Sequence, residues 1–162
     1  MLTGIILAGG KSSRMGEDKS LINSNVTRLS KELKAAGCNR IIVMCGDESR
    51  RNLFDEECHL DTKNSLAESL YDLILSLEGS IQLATCDAYL ADQDLFSKIE
   101  GVPEDDAGKR QPLLAKFDCD SNLVQSVKIT EMFANIPSCS GGIKARNTNT
   151  PEELKEIQSL LG

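Results

Sequence analysis

Short apolar runs alternate with amphipathic stretches through the N-terminal part of this chain. Leu2–Leu7 is a mostly apolar run of strand length. Val26, Leu29, Leu33 and Ala36 then recur at intervals of three and four, which predicts a helix over 26–36. Gly37 stands where a helix stop belongs. Arg40–Cys45 reads as a second strand, closed by Gly46 and Asp47. A short helix is expected over 47–54 and a brief third strand over 57–60. Leu66, Leu70, Leu73, Ile74 and Leu77 share one face of a helix over 64–77. Ser80–Thr85 is a fourth strand, and a helix from Asp92 to Ile99 follows it.

The C-terminal part is less regular. Val102–Gln111 is polar, with Pro103, Glu104, Asp105, Asp106 and Gly108, and reads as a surface loop. Its carboxylates, with Glu100, read as a solvated patch and not as a second metal site. A strand is expected over 112–117, a helix over 122–133 and a loop over 138–142. Thr150, Pro151 and Glu153 form the N-cap, first helical residue and capping box of a last helix that runs to Leu161. The alternation of strands and helices predicts an α/β fold: a mostly parallel sheet with helices on both faces, in one domain over residues 1–162. Ligands of such sheets collect at the carboxyl ends of the strands, near the point where strand order reverses.

Composition narrows the function. The chain has 162 residues, 40% of them apolar, enough for a sizeable core. Its net charge of −7 argues against a general nucleic-acid binder. Lys11, Arg14 and Lys19 are thus a cationic cluster in an acidic chain, which favours a local anion site. The six cysteines, at 38, 45, 58, 86, 119 and 139, include no C-x-x-C pair, and His59 is the only histidine, so a zinc site is disfavoured. They read as unpaired thiols of a reducing compartment. The first apolar run is too short for a signal peptide, and no segment approaches the roughly 20 apolar residues of a membrane span. A soluble, cytoplasmic protein without a membrane partner is expected.

The chemistry concentrates in residues 7–22, where a strand runs into a segment rich in glycine, serine and basic residues. Gly9 and Gly10 lack a Cβ, so backbone N–H groups can approach an anion closely. Arg14 offers a planar fork and Lys19 a point charge, the two cationic tools for oxyanions. Gly10-Lys11-Ser12 imitates the end of a P-loop, but Ile5 stands where that motif needs a glycine. The dinucleotide fingerprint G-x-G-x-x-G is absent as well.

The run L-A-G-G-x-S-x-R-M-G-x-D-K-x-L resembles the signature of nucleotidyltransferases with a three-layer, Rossmann-like, glycosyltransferase-A-type fold. Its form is most similar to the molybdenum cofactor guanylyltransferase family. Thr85-Cys86-Asp87 resembles that family's metal-binding aspartate motif, Asn147–Leu154 its N-x-N-T-P-E-D-L motif, and Gln111-Pro112-Leu113 its Q-P-L segment. The resemblance implies a Mg²⁺-dependent transfer of GMP from GTP to a phosphate of molybdopterin or the molybdenum cofactor, with loss of pyrophosphate. It implies that Leu7, Ala8, Gly9, Gly10, Lys11, Ser12 and Ser13 surround the nucleotide and that Asp61 reads the base. Lys19 would neutralise the α- and β-phosphates, Arg14 would hold the pyrophosphate, and Asp87 would ligate Mg²⁺. Asn147 or Asn149 would reach the acceptor or the ion, or only shape the turn before the last helix.

Two departures leave the base and acceptor open. Asp61–Glu68 stands where the family has G-P-L-x-G, and Ala88-Tyr89 stands where a proline usually follows the aspartate. Adenosylcobinamide-phosphate guanylyltransferase, molybdopterin cytidylyltransferase and sugar-phosphate transferases remain alternatives, as does a non-catalytic nucleotide-binding regulator. The oligomeric state is not legible.

Overall fold

A computed structural model describes residues 2–7, 19–46, 57–60, 65–85, 88 and 91–145. In chain order these form β1 (Leu2–Leu7), α1 (Lys19–Ala35), β2 (Arg40–Gly46), β3 (Glu57–Leu60), α2 (Leu66–Leu75), β4 (Ser80–Thr85), α3 (Gln93–Lys98), β5 (Val102–Asp105), β6 (Lys116–Asp118), α4 (Ile129–Met132) and β7 (Ser138–Gly142). Single 3-10 turns cover Pro112–Leu114 and Ile143–Ala145.

Five strands make the main sheet in the order β3-β2-β1-β4-β6. The first four are mutually parallel, and β6 pairs antiparallel with β4. Successive side chains of a strand point to opposite faces, so a strand covered on both sides is mostly apolar. Ile6 of β1 packs with Val43, Ala84 and the α1 residues Val26, Leu29 and Leu33, joined by Leu95 and Phe96 of α3. Ile5 faces the other layer, with Ile42, Leu83, the α2 residues Leu70, Leu73 and Ile74, and Met132 of α4. The expected three-layer α/β fold, with helices on both faces, is the observed one.

Helix ends follow local chemistry. The C-terminus of α1 is a Schellman motif: Gly37 adopts φ of 111°, its N–H donates to Lys34 O, and Cys38 N–H donates to Leu33 O. The helix begins at Lys19, well before the expected residue 26. Its first part, Lys-Ser-Leu-Ile-Asn-Ser-Asn, carries the apolar spacing back to Ile22, but its serines and asparagines are weak helix formers and obscure the start. The second helix is shorter than 64–77, because Ser65 caps it: the Oγ accepts from Glu68 N–H and donates to Glu68 Oε1.

The C-terminal expectations need correction. The polar stretch 102–111 is not simply a loop, and neither is 138–142: Val102–Asp105 and Ser138–Gly142 pair in parallel as a separate two-stranded sheet. Residues 112–117 begin with a 3-10 turn at Pro112, and only Lys116–Asp118 is strand. Over 122–133 only Ile129–Met132 is helical. The helices expected over 47–54 and 150–161 lie outside the described residues.

The acidic stretch does structural work. The Asp105 carboxylate accepts from Ala107 N–H at 2.9 Å, Lys109 N–H at 3.0 Å and Gln111 Nε2 at 3.0 Å. Burial pushes its pKa up, but these hydrogen bonds outweigh it and hold the carboxyl below the usual range. Among the described residues no group of three or more His, Cys, Asp or Glu side chains could hold a metal. Cys38, Cys119 and Cys139 are free thiols, and burial pushes Cys38 up to about 11. Cys45 lies within β2, and Cys86 falls outside the described residues. No described helix is long and apolar enough to cross a membrane.

Gly101 joins the two sheets. It exchanges two backbone hydrogen bonds with Lys116, at 2.8 and 3.0 Å. Its φ is 101°, and a Cβ there would sit 2.3 Å from the Pro137 carbonyl oxygen. Gly101→Ala is therefore expected to destabilise the chain by about 2 kcal/mol or more, from backbone strain and overpacking together. The midpoint of urea unfolding measures this; an unchanged midpoint would refute the close approach.

Candidate functional site

The register of the main sheet builds one edge. Leu7 at the end of β1 is the partner of Met44 in β2 and of Thr85 in β4. Leu60 at the end of β3 lies opposite Gly46. The carboxyl ends of four parallel strands therefore share an edge. The chain moves from β1 to β2 on one side and returns with β4 on the other, so strand order reverses between β1 and β4. Such a reversal splays the two following connections apart and opens a crevice at the carboxyl ends.

The candidate residues attach to this edge through the sequence. Ala8–Asp18 leaves β1 at Leu7 and rejoins described structure at Lys19, the first residue of α1. Asp87 follows Thr85 by two positions, and Asp61 directly follows Leu60. Leu7 is 4% exposed and its side chain belongs to the core, which leaves its backbone for any ligand. Ala8, Gly9, Gly10, Lys11, Ser12, Ser13, Arg14, Asp61, Asp87, Asn147 and Asn149 lie outside the described residues, as does the Lys19 side chain.

Four hydrogen bonds tie the elements around β4 together, and none was legible as a motif. Arg28 of α1 donates from Nη1 to Ala91 O at 2.6 Å and from Nη2 to Ala88 O at 3.0 Å. Both carbonyls belong to the connection between β4 and α3. Asp92 closes that connection: one carboxylate oxygen accepts from Leu95 N–H as the N-cap of α3, and the other accepts from Lys144 Nζ at 2.7 Å. Lys144 sits in the 3-10 turn that leads to residue 147, and Ala145 of the same turn is buried with Ala88 and Ala91. Carbonyl acceptors carry no sequence signature, so an arginine inside an amphipathic helix gave no warning of its partners.

Electrostatics match the geometry. Burial lowers the Arg28 pKa, while Glu32 and Asp92 oppose that shift, and a guanidinium stays protonated throughout. The hydrogen bond to Asp92 raises the Lys144 pKa. Gln111-Pro112-Leu113 also has structural partners. Gln111 binds Asp105, and the Gln82 side-chain amide donates to Leu114 O at 2.8 Å, tying the turn to β4.

Comparison with known proteins agrees with this architecture. The family description "MobA-like NTP transferase domain" matches residues 4–125. No curated protein sequence matches the chain. Among solved structures, a nucleotidyl transferase from Methanothermobacter superposes with a TM-score of 0.68 at 15% identity, over 99% of this chain and 97% of its own. The 4-diphosphocytidyl-2C-methyl-D-erythritol synthase of Anaerococcus prevotii gives 0.60 at 13% identity, over 99% of this chain and 98% of its own. The bifunctional IspDF of Campylobacter jejuni gives 0.67 at 16% identity, over 96% of this chain and 53% of its own. At these identities the likeness is one of fold.

The Lys144–Asp92 pair has a pH signature. A lysine whose folded-state pKa is raised adds stability that is full below its unfolded pKa and is lost as pH rises through the folded value. Lys144→Met should therefore melt below the wild type at pH 8, and the gap should close as pH rises past the ordinary lysine range. Melting temperatures of both proteins across alkaline pH test this; a gap independent of pH would show that the pair contributes only packing.

Proposed function

Because the chain belongs to the MobA-like NTP transferase domain family, we propose that it moves GMP from GTP onto the phosphate of molybdopterin or the molybdenum cofactor and releases pyrophosphate. The family's reaction class is nucleotidyl transfer. The observation that carries the reading is the pairing of Leu7 with Thr85 across the reversal of strand order. A glycine-rich, cationic segment follows the first residue and an aspartate closely follows the second. In this reading the two meet one triphosphate from opposite sides.

Backbone N–H groups of Ala8–Ser13 hold the nucleotide, with Gly9 and Gly10 allowing close approach. The backbone of Leu7 contributes at the strand end, and Asp61 reads the guanine edge. Lys19, at the positive end of α1, balances charge on the α- and β-phosphates as it builds in the transition state. Arg14 holds the departing pyrophosphate through paired hydrogen bonds. A phosphate oxygen of the acceptor attacks the α-phosphorus in line, and the bond to the pyrophosphate oxygen breaks. Asn147 or Asn149 orients the acceptor. Such transfers depend on positioning and charge stabilisation and need no side-chain nucleophile.

Mg²⁺ fits the donor chemistry of this edge. The ion prefers hard oxygen ligands and in nucleotide sites takes one or two carboxylates beside phosphate oxygens and waters. Asp87, close after the end of β4, supplies such a carboxylate. Bound there with the nucleotide, Mg²⁺ would neutralise phosphate charge.

One observation favours a second reading. Where the resembled family has G-P-L-x-G, this chain uses Ser65 to cap α2. A site without that glycine and proline suits a different base or acceptor, with molybdopterin cytidylyltransferase and adenosylcobinamide-phosphate guanylyltransferase as the alternatives.

Thermal shifts with GTP, CTP, ATP and UTP, each with Mg²⁺, separate the readings. A nucleotide present at 100 times its Kd stabilises by about 2.7 kcal/mol. GTP is expected to give the largest shift. A dominant CTP shift would replace guanylyl by cytidylyl transfer, and negligible shifts for all four would remove the site. In pyrophosphate-release assays, Lys19→Ala and Asp87→Asn should each slow turnover by about 10²-fold or more. Wild-type turnover in either variant would remove that residue from the chemistry.

A further inference from the structure

We propose that Arg28 is a positioning residue that sets Asp87 relative to Lys19 by bracing the connection after β4 against α1. The inference rests on the nucleotide site proposed above. Its structural basis is the pair of hydrogen bonds from one guanidinium to the Ala88 and Ala91 carbonyls. Ala88 is the residue directly after Asp87, and Arg28 lies on the helix that begins with Lys19.

The geometry suits a brace better than a surface contact. A guanidinium is planar, so its two terminal nitrogens fix the distance between the carbonyls they hold. Those carbonyls are three residues apart in a connection that is not regular structure at either position. Ala88 and Ala91 are fully buried, and the Arg28 bonds are partly buried, so bulk water competes poorly for the carbonyls. Ala88 N–H also donates to Thr85 O at 2.9 Å, which ties Ala88 to the end of β4. The far end of the connection is anchored separately, by Asp92 through its cap on α3 and its pair with Lys144.

The segment between these anchors carries the one carboxylate to which the proposed reaction assigns Mg²⁺. Metal-site carboxylates depend on the groups that orient them, and loss of such outer partners typically costs 10- to 100-fold in metal affinity or activity. Arg28 acts here through backbone carbonyls. Its hold on Ala88, the next residue in sequence, is what ties the proposed metal carboxylate to α1.

Arg28→Lys and Arg28→Gln test the proposal. Lysine keeps the charge but lacks the planar fork that holds the two carbonyls from separate nitrogens; glutamine removes the charge, should the lysine variant fail to fold. Two quantities are measured on each soluble variant. The first is hydrogen–deuterium exchange of the peptide covering 85–92, without nucleotide or metal. The second is the Mg²⁺ concentration that half-saturates GTP-dependent pyrophosphate release. Exchange in 85–92 is expected to rise while the β1 and β2 peptides stay protected, and half-saturating Mg²⁺ should rise about tenfold or more. Faster exchange with unchanged Mg²⁺ dependence would make Arg28 merely structural and overturn the proposal, as would unchanged exchange. A wild-type chain without Mg²⁺-dependent nucleotide turnover would instead overturn the role of Asp87, while the exchange data would still report whether Arg28 holds the segment.

Discussion

The pairing of β1 between β2 and β4 is the constraint from which the rest follows. Leu7 can lie beside both Met44 and Thr85 only if the chain completes one crossover to each side of the first strand. That requirement buries β1 on both faces and favours apolar side chains such as Ile5 and Ile6, with Thr3 the buried polar exception. It also brings the connections after β1 and β4 to the same edge. Placing polar, glycine-rich chain there costs the core nothing, because those residues begin where the buried strands end.

Charge reinforces the arrangement. The protein carries a net charge of −7, so an exposed anion would be repelled by most of its surface. Lys11, Arg14 and Lys19 oppose that field within one short stretch of sequence. The described polar contacts nearby hold backbone in place. Arg28 grips two carbonyls and Lys144 grips the cap of α3. A hydrogen bond to a charged group contributes about 1.5–3 kcal/mol. Contacts of that size can set the geometry of a connection that has no helix or strand of its own.

Legibility in the sequence followed burial. β1, β2, β4 and α2 were visible because their side chains answer to a core with a fixed period. Even β3, only four residues long, showed between its neighbours. Val102-Pro-Glu-Asp105 and Ser138-Cys-Ser-Gly-Gly142 have no such period. Each is strand only because the other lies beside it, and Gly101 sets that approach with a backbone conformation that composition does not reveal. The start of α1 was hidden by its serines and asparagines. At the site, the glycines and cations were readable as chemistry, since anion binding needs those residue types. Arg28 was not, since its partners are main-chain carbonyls brought near by the crossover.

The central claim is that one nucleotide lies between the segment after β1 and the aspartate after β4. A crystal structure of the chain grown with GTP and Mn²⁺, with anomalous scattering locating the metal, tests it most directly. The account predicts a manganese peak at the Asp87 carboxylate, bridged to a triphosphate whose other side meets the Gly9–Gly10 amides and Lys19 Nζ. Metal and nucleotide bound elsewhere, or Asp87 and Lys19 too far apart to touch one bound molecule, would contradict it.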